Sequence, residues 1–184
     1  MSNSKENSDI PVNMGILPVM LYHKDNRTKR VKVYALLDNA SGGTFVSEST
    51  ARALGIEGSH TIITVTTMHG SQDKPSKAIE GLITVNLNDE SIHVDLPTFT
   101  QKVMRVDRSE IPRQDVVSKI AHLHDVSNKI HPYMEDVEVG LLIGLNCPRV
   151  LRPREIIYGG EYVPFLDGTL MDLSVHQKTT RAMR

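Results

Sequence analysis

The chain has 184 residues, 39% hydrophobic and 23% charged, with 21 basic against 22 acidic residues and a formal net charge of -1. That length holds one domain, or one domain with tails, and excludes two large ones. The balanced charge gives no reason to expect nucleic acid or an anionic membrane as a partner. With one Cys, no Trp and 4% aromatics, neither an internal disulfide nor a Cys-based zinc site is expected, and the core must be aliphatic.

In chain order, the polar first residues, to about 13, have nothing to bury and are expected to be a disordered tail. Ile16 to Tyr22 and Arg30 to Leu37 are β-rich runs around a polar turn, Lys24 to Arg27, and predict a hairpin. After the loop Asp38 to Gly43 and a short run, Thr44 to Val46, a two-turn helix is predicted. Ser47 is its N-cap, Glu48 stands in its first turn, Ala51 and Leu54 share its buried face, and Gly55 stops it. His60 to Thr67 and Ala78 to Leu87 read as strands, joined by a polar stretch, 68 to 76, expected to be a mobile hairpin tip. Asn88 to Glu90 turns into Ile92 to Leu96, whose strict alternation buries one face. Pro112 then opens a segment with Val116, Val117, Ile120 and Leu123 at helical spacing, which predicts an amphipathic helix of about three turns. A polar link, 128 to 138, leads to Val139 to Gly144, an apolar run that fits a strand buried on both faces. Cys147 to Leu170 carries scattered Pro and Gly and reads as a loosely packed extension, and 176 to 184 is basic and expected to fray. The expected organisation is thus a tail over 1–13, a domain over 14–151 and an extension over 152–184.

The longest apolar or glycine run, Val139 to Leu145, is too short to cross a bilayer, and the N-terminus lacks the apolar core of a signal peptide. An intracellular, cytoplasmic protein is expected, with no membrane and no nucleic acid as partner.

One local pattern concentrates chemistry. Ala35-Leu36-Leu37-Asp38-Asn39-Ala40-Ser41 delivers a carboxylate from the end of an apolar strand into a tight loop of small residues. Such a charge needs partners, which the Ser41 hydroxyl and loop amides can supply. Alone, the pattern fits equally an Asp that merely caps the loop or the following helix. Other signals are weaker. His122 and His124 lie two apart, which on a helix points the rings apart and predicts two solvated side chains. Cys147 precedes Pro148 with no nucleophile signature around it and reads as a packed thiol. Phe165-Leu166-Asp167-Gly168-Thr169 superficially offers a second Asp loop, but its Gly and Thr stand in reverse order and an ordinary Asp-Gly turn is expected.

The Asp38 loop, the hairpin tip at Met68-His69-Gly70 and the late strand Leu141-Leu142-Ile143-Gly144 occur in an order that resembles the retropepsin-type aspartic proteases. The C-terminal part narrows the likeness. Asp136 to Pro148, containing LLIG and Cys147-Pro148, followed by Pro153-Arg154-Glu155-Ile156-Ile157, is similar to the aspartic peptidase domain in the Pol polyproteins of Bel/Pao-type LTR retrotransposons. The likeness covers about residues 14 to 165, including the segment near 112–124 that short retropepsins lack.

This resemblance implies a mainly β, retropepsin-like barrel with Asp38 as the catalytic acid, its loop completed by Asn39, Ala40 and Ser41. Ser41 would stabilise the carboxylate. Ile143 and Gly144 would support the loop, and Met68, His69 and Gly70 would form a flap over an extended peptide or polyprotein substrate. The chemistry follows from two carboxylates about 3 Å apart, which cannot both ionise and so share one proton. One takes a proton from water while the other donates a hydrogen bond to the scissile carbonyl, and no metal or cofactor is required. The chain supplies one such loop, so the second Asp38 must come from a homodimer partner. Two positions depart from the family pattern. Asn39 stands where Ser or Thr is usual, and Ala40 where Gly is usual. A catalytically inactive dimerisation or peptide-binding module is therefore the alternative reading.

Overall fold

The computed structural model describes residues 15–159 and 164–176. The tail expected to be disordered, and the basic stretch after His176, lie outside these residues. The expectation of a mainly β chain holds: the described residues form ten strands and only short helical segments.

β1 (Ile16–His23) and β2 (Asn26–Leu37) make the expected antiparallel hairpin. β2 starts at Asn26 rather than Arg30 because residues 26–30 are exposed on both faces, so no burial alternation marks them in the sequence. β3 (Thr44–Ser47) leads directly into α1 (Glu48–Leu54). The Ser47 side chain accepts the Thr50 amide at 3.1 Å, and Gly55 closes the helix in the left-handed region, as the cap residues predict. Next come β4 (Ser59–Thr67), β5 (Gly70–Asn86), β6 (His93–Gln101) and, after a long insert, β7 (Val139–Ile143).

The main sheet runs β1-β2-β7-β3-β6-β5-β4, and β1 also pairs with β5, which closes six of these strands into a ring. β5 makes this possible by changing partners along its length. Its first part pairs with β4, and its last part lies between β6 and β1. The change falls at Gly81, where φ is +75° and the β5–β6 register breaks between Ile79 and Leu82. β4 is left outside the ring as one arm of a projecting hairpin.

Alternation then decides what each strand buries. Val33 and Ala35 of β2 and Leu141 and Ile143 of β7 enter the ring's core with Leu17, Val19, Leu21, Leu82 and Leu96. Tyr34 and Leu36, with Leu142 and Val139, face the other way and are covered by Ile111, Val106, Tyr133 and Met134 of the insert. Both strands are therefore buried on two faces, which is why each reads as a continuous apolar run. Each fully buried Leu or Ile contributes roughly 1.5–3 kcal/mol.

The insert differs from the predicted three-turn helix. It holds a single turn, α2 (Gln114–Val117), and a run of 3-10 turns at Ala121–Lys129, separated by Ile120 in extended conformation. The ring of His124 bonds the Ser118 carbonyl at 2.8 Å, taking a group that a continuing helix would have used. Val117, Ile120 and Leu123 still reach one cluster, so the apolar spacing reported burial but not helix.

The C-terminal part is not loosely packed. After α3 (Pro148–Leu151), strands β8 (Glu155–Ile157), β9 (Phe165–Gly168) and β10 (Leu173–His176) form a second sheet in the order β10-β9-β8. Leu166, Met171 and Val175 are fully buried. Leu170 and Met171 join the ring's core, and Leu166 and Val175 pack on the insert. Pro and Gly here delimit very short strands rather than a slack chain. Asp167 and Gly168 lie in β9, opposite Ser174 and Leu173, where an Asp-Gly turn was expected. No described helix is long and apolar enough to cross a membrane.

Candidate active site

The end of β2 and the end of β7 meet at the Asp38 loop. β7 lies between β2 and β3, parallel to β2 and antiparallel to β3, so it threads between the two strands that the loop connects. Leu37 is opposite Ile143, and the Asp38 amide donates to the Ile143 carbonyl at 3.0 Å. Two residues later, the Leu145 amide donates to the Ser41 carbonyl at 2.8 Å. The loop is thus stitched to β7 on both sides of Gly144. A Cβ at Gly144 would lie 2.2 Å from the Gly43 carbonyl oxygen and 2.7 Å from that of Ser41, so only glycine fits this approach. Ile143 and Gly144, the residues expected to support the loop, are the ones that lie against it here.

Within the loop, Asp38 is half-buried and its Oδ1 accepts the Ala40 amide at 2.9 Å, an Asx turn that orients the carboxylate. Among the described residues no hydrogen bond reaches its Oδ2. Asn39 and Ala40 are exposed. The Ser41 side chain differs from expectation. Its hydroxyl donates to the Gly43 carbonyl at 2.8 Å rather than to the Asp38 carboxylate, because the loop turns back on itself through Gly42 and Gly43. Ser41 shapes the loop, and the Ala40 amide does the work assigned to it.

Two residues that sequence reasoning passed over complete the support. The buried Thr44 hydroxyl accepts the Gly144 amide at 3.1 Å and donates to Asn146 Oδ1 at 2.6 Å, and Asn146 Nδ2 donates to the Pro97 carbonyl at 2.8 Å. This chain ties the start of β3, the end of β7 and β6 together beneath the loop. The only signal in the sequence was a polar residue set directly before the apolar pair Phe45-Val46.

The hairpin tip is tighter than expected. Met68 and His69 alone form the turn, and residues 70–76 are strand, paired from Thr67–Gly70 to Thr61–Ser76. Cross-strand pairs hold it: Thr64 donates to Asp73 at 2.7 Å, and the Thr66 and Ser71 hydroxyls are 2.8 Å apart. Such polar pairs let a strand ladder persist with both faces hydrated, which is why its composition resembled a loop. Met68 is fully exposed. A cavity of about 200 Å³ beside the tip is lined by Val65, Thr67, His69, Gly70, Ser71, Gln72 and Lys74. It includes no residue of the Asp38 loop.

The remaining candidates are structural. The Cys147 thiol is buried, and burial pushes its pKa up, which suppresses the reactive thiolate. His124 is exposed as expected, whereas His122 is half-buried, bonds the Pro164 carbonyl at 2.7 Å and packs on Gly159. Burial also raises the carboxyl of Asp167, which lies in the second sheet. Among the described residues no group of three or more His, Cys, Asp or Glu is placed to hold a metal ion.

Compared with family models, with characterised proteins and with solved structures, the chain has no match.

Proposed function

We propose that this chain is an aspartic endopeptidase of retrotransposon origin, acting inside the cell as a retropepsin-like homodimer in which the two Asp38 carboxylates activate one water. The observation that carries the reading is the threaded strand. β7 runs between the strands that flank the Asp38 loop and presses Gly144 against it, so that a half-exposed carboxylate, aligned by its own loop amide, stands at the barrel's end. An Asp that only capped a loop would not need a second strand fitted so closely behind it. One loop per chain requires two chains, because a lone carboxylate cannot both take the proton of water and offer one to the substrate carbonyl. The shared proton belongs to the pair.

Asn39 and Ala40 favour the second reading, an inactive module with the same fold that dimerises or binds peptides. The two readings separate in one experiment. The purified chain is incubated with a mixed peptide library across mildly acidic to neutral pH, beside Asp38→Asn and the double variant Asn39→Ser with Ala40→Gly. The endopeptidase reading expects cleavage by the parent chain, none by Asp38→Asn, and a dimer in sedimentation. Cleavage that survives Asp38→Asn overturns the mechanism. Cleavage that appears only in the double variant establishes the inactive module.

A further inference from the structure

The main sheet leaves both outer edges of its projecting hairpin unpaired among the described residues, that of β4 and that of residues 70–75 of β5, and the β5 edge carries Lys74 and Pro75. The sheet order ends on β4, whereas β1 at the other end is closed by β5. Exposed edge strands usually carry a Lys, a Pro or a bulge that discourages further pairing. β4 carries none of these between Thr61 and Thr67, a run of Thr, Ile and Val, and Ile62 on it is 71% exposed. Its nine residues span about 30 Å, enough to pair with an extended peptide of similar length.

Register decides which side chains such a peptide would meet. Directly opposed residues share a face, so Thr61, Ile63, Val65 and Thr67 of β4 stand with Ser76, Lys74, Gln72 and Gly70 of β5. This is the half-buried face of β4, and it carries the cavity beside the tip. The cavity's lining includes Lys74 and His69 and no acidic residue. Asp73 points to the opposite face, where it accepts from Thr64. Among the described residues Lys74 has no ion pair. A strand added beside β4 would lie about 10 Å from β5, within the joint reach of a Lys and a Glu side chain.

We propose that the open edge of β4 takes an extended peptide bearing an acidic side chain on the face of Lys74 and His69, so that Lys74 selects acidic over basic sequences. The inference rests on the hairpin's being the substrate-binding flap, and not on the chemistry of Asp38. The test uses the full chain with Asp38→Asn, so that no probe is consumed, and fluorescein-labelled decapeptides of alternating Thr and Val with Glu, Gln or Lys at one central position. Anisotropy should show the Glu peptide binding about three- to fivefold more tightly than the Lys peptide, the scale of an exposed ion pair. Lys74→Glu should invert that order, and hydrogen exchange should show bound peptide protecting amides of residues 59–67. An unchanged order in Lys74→Glu, or protection outside β4, overturns the proposal. So does protection of β4 that grows with protein concentration while no peptide binds, which would identify a second copy as the occupant. Charge-selective binding without cleavage by the parent chain would sink the protease reading alone. Cleavage without charge selection would sink this inference alone.

Discussion

Gly144→Ala tests whether the Asp38 loop is held as closely as the geometry requires. The added methyl would lie 2.2 Å from the Gly43 carbonyl oxygen, where an ordinary contact begins at 3.4 Å. Something must therefore move by about 1 Å in a close-packed setting. The obstructing atoms are backbone, with no flexible side chain to give way. A shift of that size would take the Leu145–Ser41 hydrogen bond from 2.8 Å beyond bonding range and would strain the Gly144–Thr44 bond at 3.1 Å. Overpacking of this kind costs about 1–3 kcal/mol, and each lost hydrogen bond about 1 kcal/mol more. A total of about 3 kcal/mol would lower the melting temperature of a chain this size by roughly 6–12 °C. Gly42→Ala is the internal control, because nothing lies within 4 Å of a Cβ at Gly42, and it should stay within about 0.5 kcal/mol of the parent. Urea unfolding of both variants reads the difference. If Gly144→Ala is as stable as Gly42→Ala, the close packing of β7 against the loop is wrong, and with it the main support for the site.

Three further outcomes are expected. The Thr84 hydroxyl is fully buried without a hydrogen-bond partner among the described residues, so Thr84→Val should raise stability by about 1–2 kcal/mol in urea unfolding. Burial raises the carboxyls of Asp167 and Asp172 above the ordinary Asp value, so the native state holds protons that the unfolded chain has released. Their contribution is therefore complete below about pH 4 and is lost as pH rises through the folded values, so stability should fall over that window and Asp172→Asn should flatten the fall. Native Cys147 should react with a thiol reagent slowly at neutral pH and rapidly once urea unfolds the chain, because its thiol is buried and its pKa raised.

What could be read before the fold was known follows the range of the interactions. α1 was legible to the residue, since a Ser47 cap and a Gly55 stop act within one turn of the helix. The two-faced burial of β7 was legible because both faces are apolar, although which clusters they join depends on distant segments. The insert was misread as a longer helix because Val117, Ile120 and Leu123 are all buried at helical spacing, a pattern that tight turns over a second sheet also satisfy. The hairpin tip was overestimated because hydroxyl and carboxylate pairs across it look like loop composition when only one strand is in view. In the site, Asp38, Ile143 and Gly144 stood out through the pattern of their own neighbours. Thr44 and Asn146 did not, since they are linked across 102 residues of chain by one hydrogen bond.

The two departures in the Asp38 loop can be weighed by what each residue does within one chain. Ala40 supplies a backbone amide to Asp38 Oδ1, and any residue other than Pro can do that. Its methyl is exposed, so replacing Gly there displaces nothing in the monomer. Asn39 is also exposed, and its side chain makes no hydrogen bond among the described residues. Both substitutions therefore fall on atoms that face out of the chain, on the surface where a second copy would have to bring its own Asp38. The loop geometry of the single chain survives them, so in the proposed homodimer their effect would be felt across the axis. Asn39, with one acceptor and two donor hydrogens, can satisfy a symmetric partner across the axis, whereas the Ala40 methyl adds bulk at the same place twice over. If the loop has lost activity, Ala40→Gly should thus restore more of it than Asn39→Ser, and it should do so together with tighter dimerisation in sedimentation. Restoration by Asn39→Ser alone would place the defect in the cross-axis hydrogen bond instead.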